Sequence, residues 1–117
     1  MEFAALLSSG KGSWAQVAGL INRGEWEKII LIGDDFASQF KSNKPAEFIK
    51  IYTSLPLVEL KQELLEKLKG KFGDFSEVAL SIASGEVKEH MALISALLSI
   101  PVGVRFTALT KEGIVFL

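Results

Sequence analysis

Cysteine is absent from these 117 residues, and histidine occurs once. A disulfide framework, a thiol nucleophile and a Cys-ligated metal are therefore excluded. Neither a multi-His zinc site nor a Cys–His relay can be assembled. An excess of charge of one sign is also missing. The 13 Lys+Arg against 14 Asp+Glu leave a formal net charge of −1, with no global attraction to duplex nucleic acid or an anionic membrane. Long hydrophobic runs are lacking too. The most apolar stretch, Met91 to Val104, is too short to span a bilayer and is interrupted by Pro101. The opening Met1-Glu2-Phe3 lacks the basic stretch and cleavage pattern of a signal peptide, so a cytoplasmic location is expected, with no membrane and no duplex nucleic acid as partner.

What is present is the composition of a folded domain, 49% hydrophobic and 23% charged. A single domain over residues 1–117 is expected, with no room for separate catalytic and cofactor domains. Short apolar runs alternate with helical spacing. Phe3-Ala4-Ala5-Leu6-Leu7-Ser8 reads as a buried strand that ends in the Gly-rich Ser9-Gly10-Lys11-Gly12-Ser13. Trp14, Val17, Ala18 and Ile21 mark a helix with Ser13 as N-cap and Gly24 as stop. Residues 28–33 are apolar at every inner position, as a parallel strand covered on both faces requires. Asp34-Asp35 is expected to cap a short helix through Phe40, and residues 48–53 to form a third strand. Leu57, Leu60, Leu64, Leu65 and Leu68 stripe a third helix, and residues 77–83 a fourth strand. Val87, Met91, Ile94 and Leu98 stripe a fourth helix, with a second face of small residues at Ala92, Ser95, Ala96 and Ser99. Strands over 102–109 and 114–117 close the chain, joined by Thr110-Lys111-Glu112-Gly113, a link suited to a hairpin.

The order β-α-β-α-β-α-β-α-β-β predicts a Rossmann-like three-layer α/β sandwich with a mostly parallel sheet and a C-terminal β-hairpin. Leu6, Ile30, Ile51, Leu80 and Val104 are expected in its core. Ligands of such sheets bind beyond the carboxyl ends of the strands, where the strand order reverses. With the order 3-2-1-4-5, that point lies between the first and fourth strands. Two small-residue loops then face each other, 8–13 and Ser84-Gly85-Glu86-Val87-Lys88. Glycines admit a ligand to the backbone, and helix N-termini present N–H donors to anions. Lys88 opposes the helix dipole where it stands, a cost that a phosphate would offset and that solvent exposure would merely reduce. Lys11 is the other lysine of these loops.

Gly10-Lys11-Gly12-Ser13-Trp14-Ala15 also fits G-x-G-x-x-G/A after a strand, with Asp34 and Asp35 placed as ribose-binding acids. A Walker phosphate loop is excluded, because Ala5 stands where its first glycine belongs and Gly12 follows the lysine. His90 is expected at the edge of its helix's apolar stripe and Trp14 in the core. Helix capping is a simpler role for Asp34-Asp35 than metal binding.

The strand order, the Ser/Gly loop after the first strand and the Ser-Gly-x-x-Lys loop after the fourth resemble the CRISPR-associated Rossmann-fold (CARF) domains. The resemblance covers nearly the whole chain. It departs from the family pattern at Glu86, where a small polar residue is usual. It implies a stand-alone homodimer that senses a cyclic oligoadenylate, or a metal-independent ring nuclease acting on one, without a cofactor. It implies ligand binding by Ser8, Ser9, Gly10, Lys11, Gly12, Ser84, Gly85 and Lys88. In a cleavage step, Lys88 would stabilise charge and Ser9 would hold the nucleotide for attack by its own ribose hydroxyl. Beside this stand a mononucleotide- or dinucleotide-binding regulatory domain using Gly10, Gly12 and Asp34, and an interaction module without a small ligand.

Overall fold

The computed structural model describes residues 1–8, 13–73 and 76–117. Its elements are β1 (Glu2–Leu6), α1 (Trp14–Arg23), β2 (Ile29–Gly33), a 3₁₀ turn (Ala37–Gln39), β3 (Glu47–Lys50), α2 (Leu57–Leu68), β4 (Glu77–Ser81), α3 (Val87–Leu98), β5 (Gly103–Thr110) and β6 (Gly113–Phe116). They build one six-stranded sheet in the order β3-β2-β1-β4-β5-β6. The first five strands are mutually parallel, and β6 returns antiparallel to β5.

One element departs from expectation. The short helix expected from Asp34 to Phe40 is a single 3₁₀ turn, so the described chain has three α-helices rather than four. The reason is local. Asp34 Oδ1 accepts the Ala37 N–H at 3.0 Å, capping a turn, and the Phe40 backbone is already extended. With Phe40 packed edge-on to Trp14, the chain has no second turn in which to propagate a helix.

The helices divide between the two faces of the sheet. Val17, Leu20 and Ile21 of α1 share a cluster with Phe3, Ala5, Ile29 and Leu31. Leu60, Leu64 and Leu68 of α2, and Ala92, Leu93, Ala96 and Leu97 of α3, share the opposite cluster with Ala4, Leu6, Ile30 and Leu80. Successive strand residues point to opposite faces, so a continuous apolar strand feeds both cores. The chain winds outward from β1 in one direction through α1 and in the other through α3. This division of the helices follows from right-handed crossovers.

Of the expected core positions, Leu6, Ile30, Ile51 and Leu80 are fully buried. Ile51 lies just past the end of β3, and Val104 is only half-buried. The exposure at Val104 follows from its strand. The β4 side of β5 is paired over residues 103–106, whereas β6 pairs with 107–110 on the other side. The first half of β5 is therefore a sheet edge. Gly113, at φ +107°, makes the hairpin turn in a conformation that side chains disfavour.

The α3 helix buries part of its face of small residues and exposes most of the apolar stripe expected in the core, with Ser95 and Ser99 left in solvent. Ala92 and Ala96 are buried, while Val87, Met91 and Leu98 are exposed. Small side chains let α2 and α3 approach closely, and their Leu and Ala residues fill one cluster. Leu64→Ala is expected to cost about 2–5 kcal/mol in urea unfolding. The same change at exposed Val58 of α2 should stay within about 0.5 kcal/mol.

Candidate functional site

The loop after β1 meets the loop after β4 at the carboxyl end of the sheet. The Ser8 N–H donates to Ser84 Oγ at 2.9 Å. On one side the Trp14 indole N–H donates to the Ser8 carbonyl at 2.7 Å, which ties this loop to α1. On the other side His90 Nε2 lies 2.8 Å from the Ser84 carbonyl. A carbonyl only accepts, so Nε2 carries the proton. One chain of polar contacts thus runs from α3 through both loops to α1.

Gly85 makes this arrangement possible. Its φ is +107°, and a Cβ there would stand 2.3 Å from Leu6 Cδ2 and 3.0 Å from His90 Nε2. Both the backbone conformation and the space require glycine. The next residues open α3. The Glu86 N–H donates to Glu89 Oε1 at 2.9 Å, the reach-back half of a capping box that leaves Glu89 buried.

Between these loops and the end of β2 lies a crevice of about 220 Å³. Ser8, Asp34, Thr53, Ser54, Glu86, Lys88 and Glu89 line it, together with Leu7. A neighbouring hollow of about 240 Å³ shares Asp34, Thr53 and Ser54 with it and continues to Asp35, Lys50 and Tyr52. Lys50 Nζ pairs with Asp35 at 2.8 Å, and that hydrogen bond holds its pKa above the ordinary lysine value. Two further hollows are mainly apolar, one of about 210 Å³ between the C-terminal ends of α2 and α3 and one against β5 and Leu117, and another lies among Glu25, Trp26, Glu27 and Lys44.

Of the expected site residues, the structure brings Ser8, Ser84, Gly85 and Lys88 to this one end of the sheet. Ser8 and Lys88 line the crevice, and Ser84 and Gly85 lie behind it as its frame. Ser9, Gly10, Lys11 and Gly12 lie outside the described residues. Lys88 is not a solvated lysine. Its Nζ donates to the Leu55 carbonyl at 2.8 Å, an acceptor that offsets the helix-dipole cost of a cation at this position. Asp34 also lines the crevice, with Oδ1 engaged by the 3₁₀ turn. Thr53, Ser54 and His90 were not foreseen. Thr53 and Ser54 carry no motif and reach the site only because β3 neighbours β2. His90, half-buried at the edge of its helix's apolar stripe as expected, has its ring at the Ser84 carbonyl. Ser81, buried at the end of β4, has the one buried side-chain oxygen without a partner among the described residues.

Three carboxylates and one ammonium line the crevice, so it does not attract polyanions as a whole. Among the described residues no three Asp, Glu or His side chains gather as a metal site. No helix is long and apolar enough to cross a membrane. Compared with protein-family models, curated proteins and solved structures, the chain matches none.

Ser84→Ala removes the acceptor of the Ser8 N–H and should lower unfolding free energy by about 1–3 kcal/mol. Gly85→Ala adds steric overlap to an unfavourable φ and should cost at least as much. Urea titration of both variants, followed by tryptophan fluorescence, measures the two effects. Trp14 reports directly on the Ser8 loop.

Proposed function

We propose that the chain is a Rossmann-like nucleotide-binding regulatory domain whose site is the crevice between β1, β2 and α3. The observation that carries this reading is that Asp34 and Lys88 line the same small crevice. A carboxylate at the end of β2 suits the hydroxyls of a ribose, and an ammonium at a helix start suits a phosphate. At about 220 Å³ the crevice is smaller than the roughly 300–1,000 Å³ of small-molecule sites, so it would take part of a nucleotide, with the remainder exposed. The carboxylates of Glu86 and Glu89 disfavour a run of phosphates beyond the first.

The second reading is the cyclic-oligoadenylate sensor implied by the CARF resemblance. What favours it is that the two loops on which the resemblance rests are the two joined by the Ser8–Ser84 hydrogen bond. A ring of several nucleotides exceeds one crevice, so a homodimer would have to supply the remainder. Binding is proposed here rather than cleavage. The imidazole of His90 is engaged by the Ser84 carbonyl, and Lys88 already donates to the Leu55 carbonyl.

A thermal-shift panel of AMP, ATP, NAD, S-adenosylmethionine and cyclic tri-, tetra- and hexa-adenylate separates the readings, because a ligand of the native state raises Tm by mass action. A shift with AMP that exceeds the shift with ATP and shrinks for the 2′-deoxy analogue is the expected result. Lys88→Ala should weaken that binding by about ten- to a hundredfold, one charged hydrogen bond to phosphate. A shift confined to the cyclic oligoadenylates would replace the first reading with the second. Silence across the panel would overturn both and leave the interaction module.

A further inference from the structure

The crevice adjoins the outer hollow, and the two are lined differently. Asp34, Thr53 and Ser54 line both. Glu86 and Lys88 line the crevice alone, whereas Phe36 and Tyr52 line the hollow alone. One turn of chain borders the pair from end to end. The Leu55 N–H donates to the Tyr52 carbonyl at 3.1 Å, closing a β-turn over residues 52–55. Tyr52 begins that turn at the hollow, and the Leu55 carbonyl ends it by accepting from Lys88 Nζ. Together the two spaces, of about 220 and 240 Å³, come within the roughly 300–1,000 Å³ of small-molecule sites, which neither reaches alone.

Tyr52 is an aromatic side chain that the core does not use, 54% exposed at a fixed place. Its backbone is held from two sides. The N–H of buried Ile51 donates to the Gly33 carbonyl of β2 at 2.9 Å, and the Tyr52 N–H donates to Glu63 Oε1 of α2 at 2.9 Å. The two ammonium groups near its ring are tethered elsewhere. Lys50 Nζ, 5.1 Å from the ring centre, pairs with Asp35 at 2.8 Å. Lys67 Nζ, 5.4 Å from it, donates to the Lys50 carbonyl at 2.6 Å. These contacts position the ring and leave over half of the residue in solvent. A positioned aromatic surface beside hydroxyls and a carboxylate suits a nucleobase, because every base presents a π-face to stack.

We propose that the outer hollow is the base subsite of the nucleotide site, with the base stacked on the Tyr52 ring. The inference rests on the nucleotide reading of the crevice and gives the ligand a direction. The phosphate lies at Lys88, the ribose at the shared Asp34, Thr53 and Ser54, and the base at Tyr52 and Phe36. The charges of the hollow, Asp35 and Lys50, are already joined to each other, which suits a neutral base better than a further phosphate. The ligand class is therefore a nucleoside monophosphate held along its length, rather than a sugar phosphate held in the crevice alone.

Calorimetric titration with AMP and with ribose 5-phosphate, the sugar phosphate without its base, tests the assignment. The wild type should bind AMP at least about tenfold more tightly, the fold-change that stacking on one aromatic side chain supplies. Tyr52→Ala should abolish the difference by weakening AMP alone, and Tyr52→Phe should preserve it, because stacking needs the ring and not the hydroxyl. Lys88→Ala should weaken both ligands. Both Tyr52 variants should keep a Tm close to that of the wild type, since the residue is exposed. An AMP affinity no higher than that of ribose 5-phosphate, or one unmoved in Tyr52→Ala, would overturn the base subsite and leave the crevice reading standing. Absence of binding by both ligands would overturn the two together.

Discussion

The central strand β1 is buried from both sides, and the rest of the molecule is arranged to keep it so. Phe3, Ala4, Ala5 and Leu6 are fully buried, between β2 on one edge and β4 on the other. A strand with no polar face must be covered above and below, and parallel neighbours require crossovers long enough to supply that cover. The positions of the helices follow from this requirement. So does the collection of loops at one end of the sheet, since every crossover leaves from the carboxyl end of a strand.

The crevice is a product of the same constraint. Where the winding reverses between β1 and β4, two loops diverge to opposite faces and leave a gap. Here the gap is braced rather than open, by Ser84 with its hydroxyl on the β1 loop and its carbonyl on His90. Gly85 permits the turn, and Leu6, the last residue of β1, is packed so close beneath it that no side chain fits. The frame of the site and the core of the domain thus share residues.

The charges at this end of the sheet are largely turned inward to finish helix termini. Asp34 caps the 3₁₀ turn, Glu89 caps α3, and Lys88 completes the chain around Leu55. Groups held in this way are preorganised, and they would meet a ligand without first paying to be ordered. Glu86 remains exposed at the start of α3.

The mostly parallel sheet was legible in the sequence, because continuous apolar runs such as Ile29 to Ile32 suit a strand covered on both faces. Gly85 and Lys88 stood out in the sequence because a glycine and a cation at a helix start are unusual choices, and both lie at this end of the sheet, Gly85 in its frame and Lys88 in the crevice lining. Other features were decided by tertiary structure alone. The segment from Asp34 to Phe40 has helical caps but is stopped after one turn by the packing of Phe40 against Trp14. His90 reads as a boundary residue until the β4 loop brings the Ser84 carbonyl to its ring. The α3 helix shows the limit most directly. It bears apolar residues on two faces, Val87-Met91-Ile94-Leu98 and Ala92-Leu93-Ala96-Leu97, and periodicity weighs both alike. Only the approach of α2 decides between them: the alanine face packs closely enough to be buried, and the longer side chains are left outside.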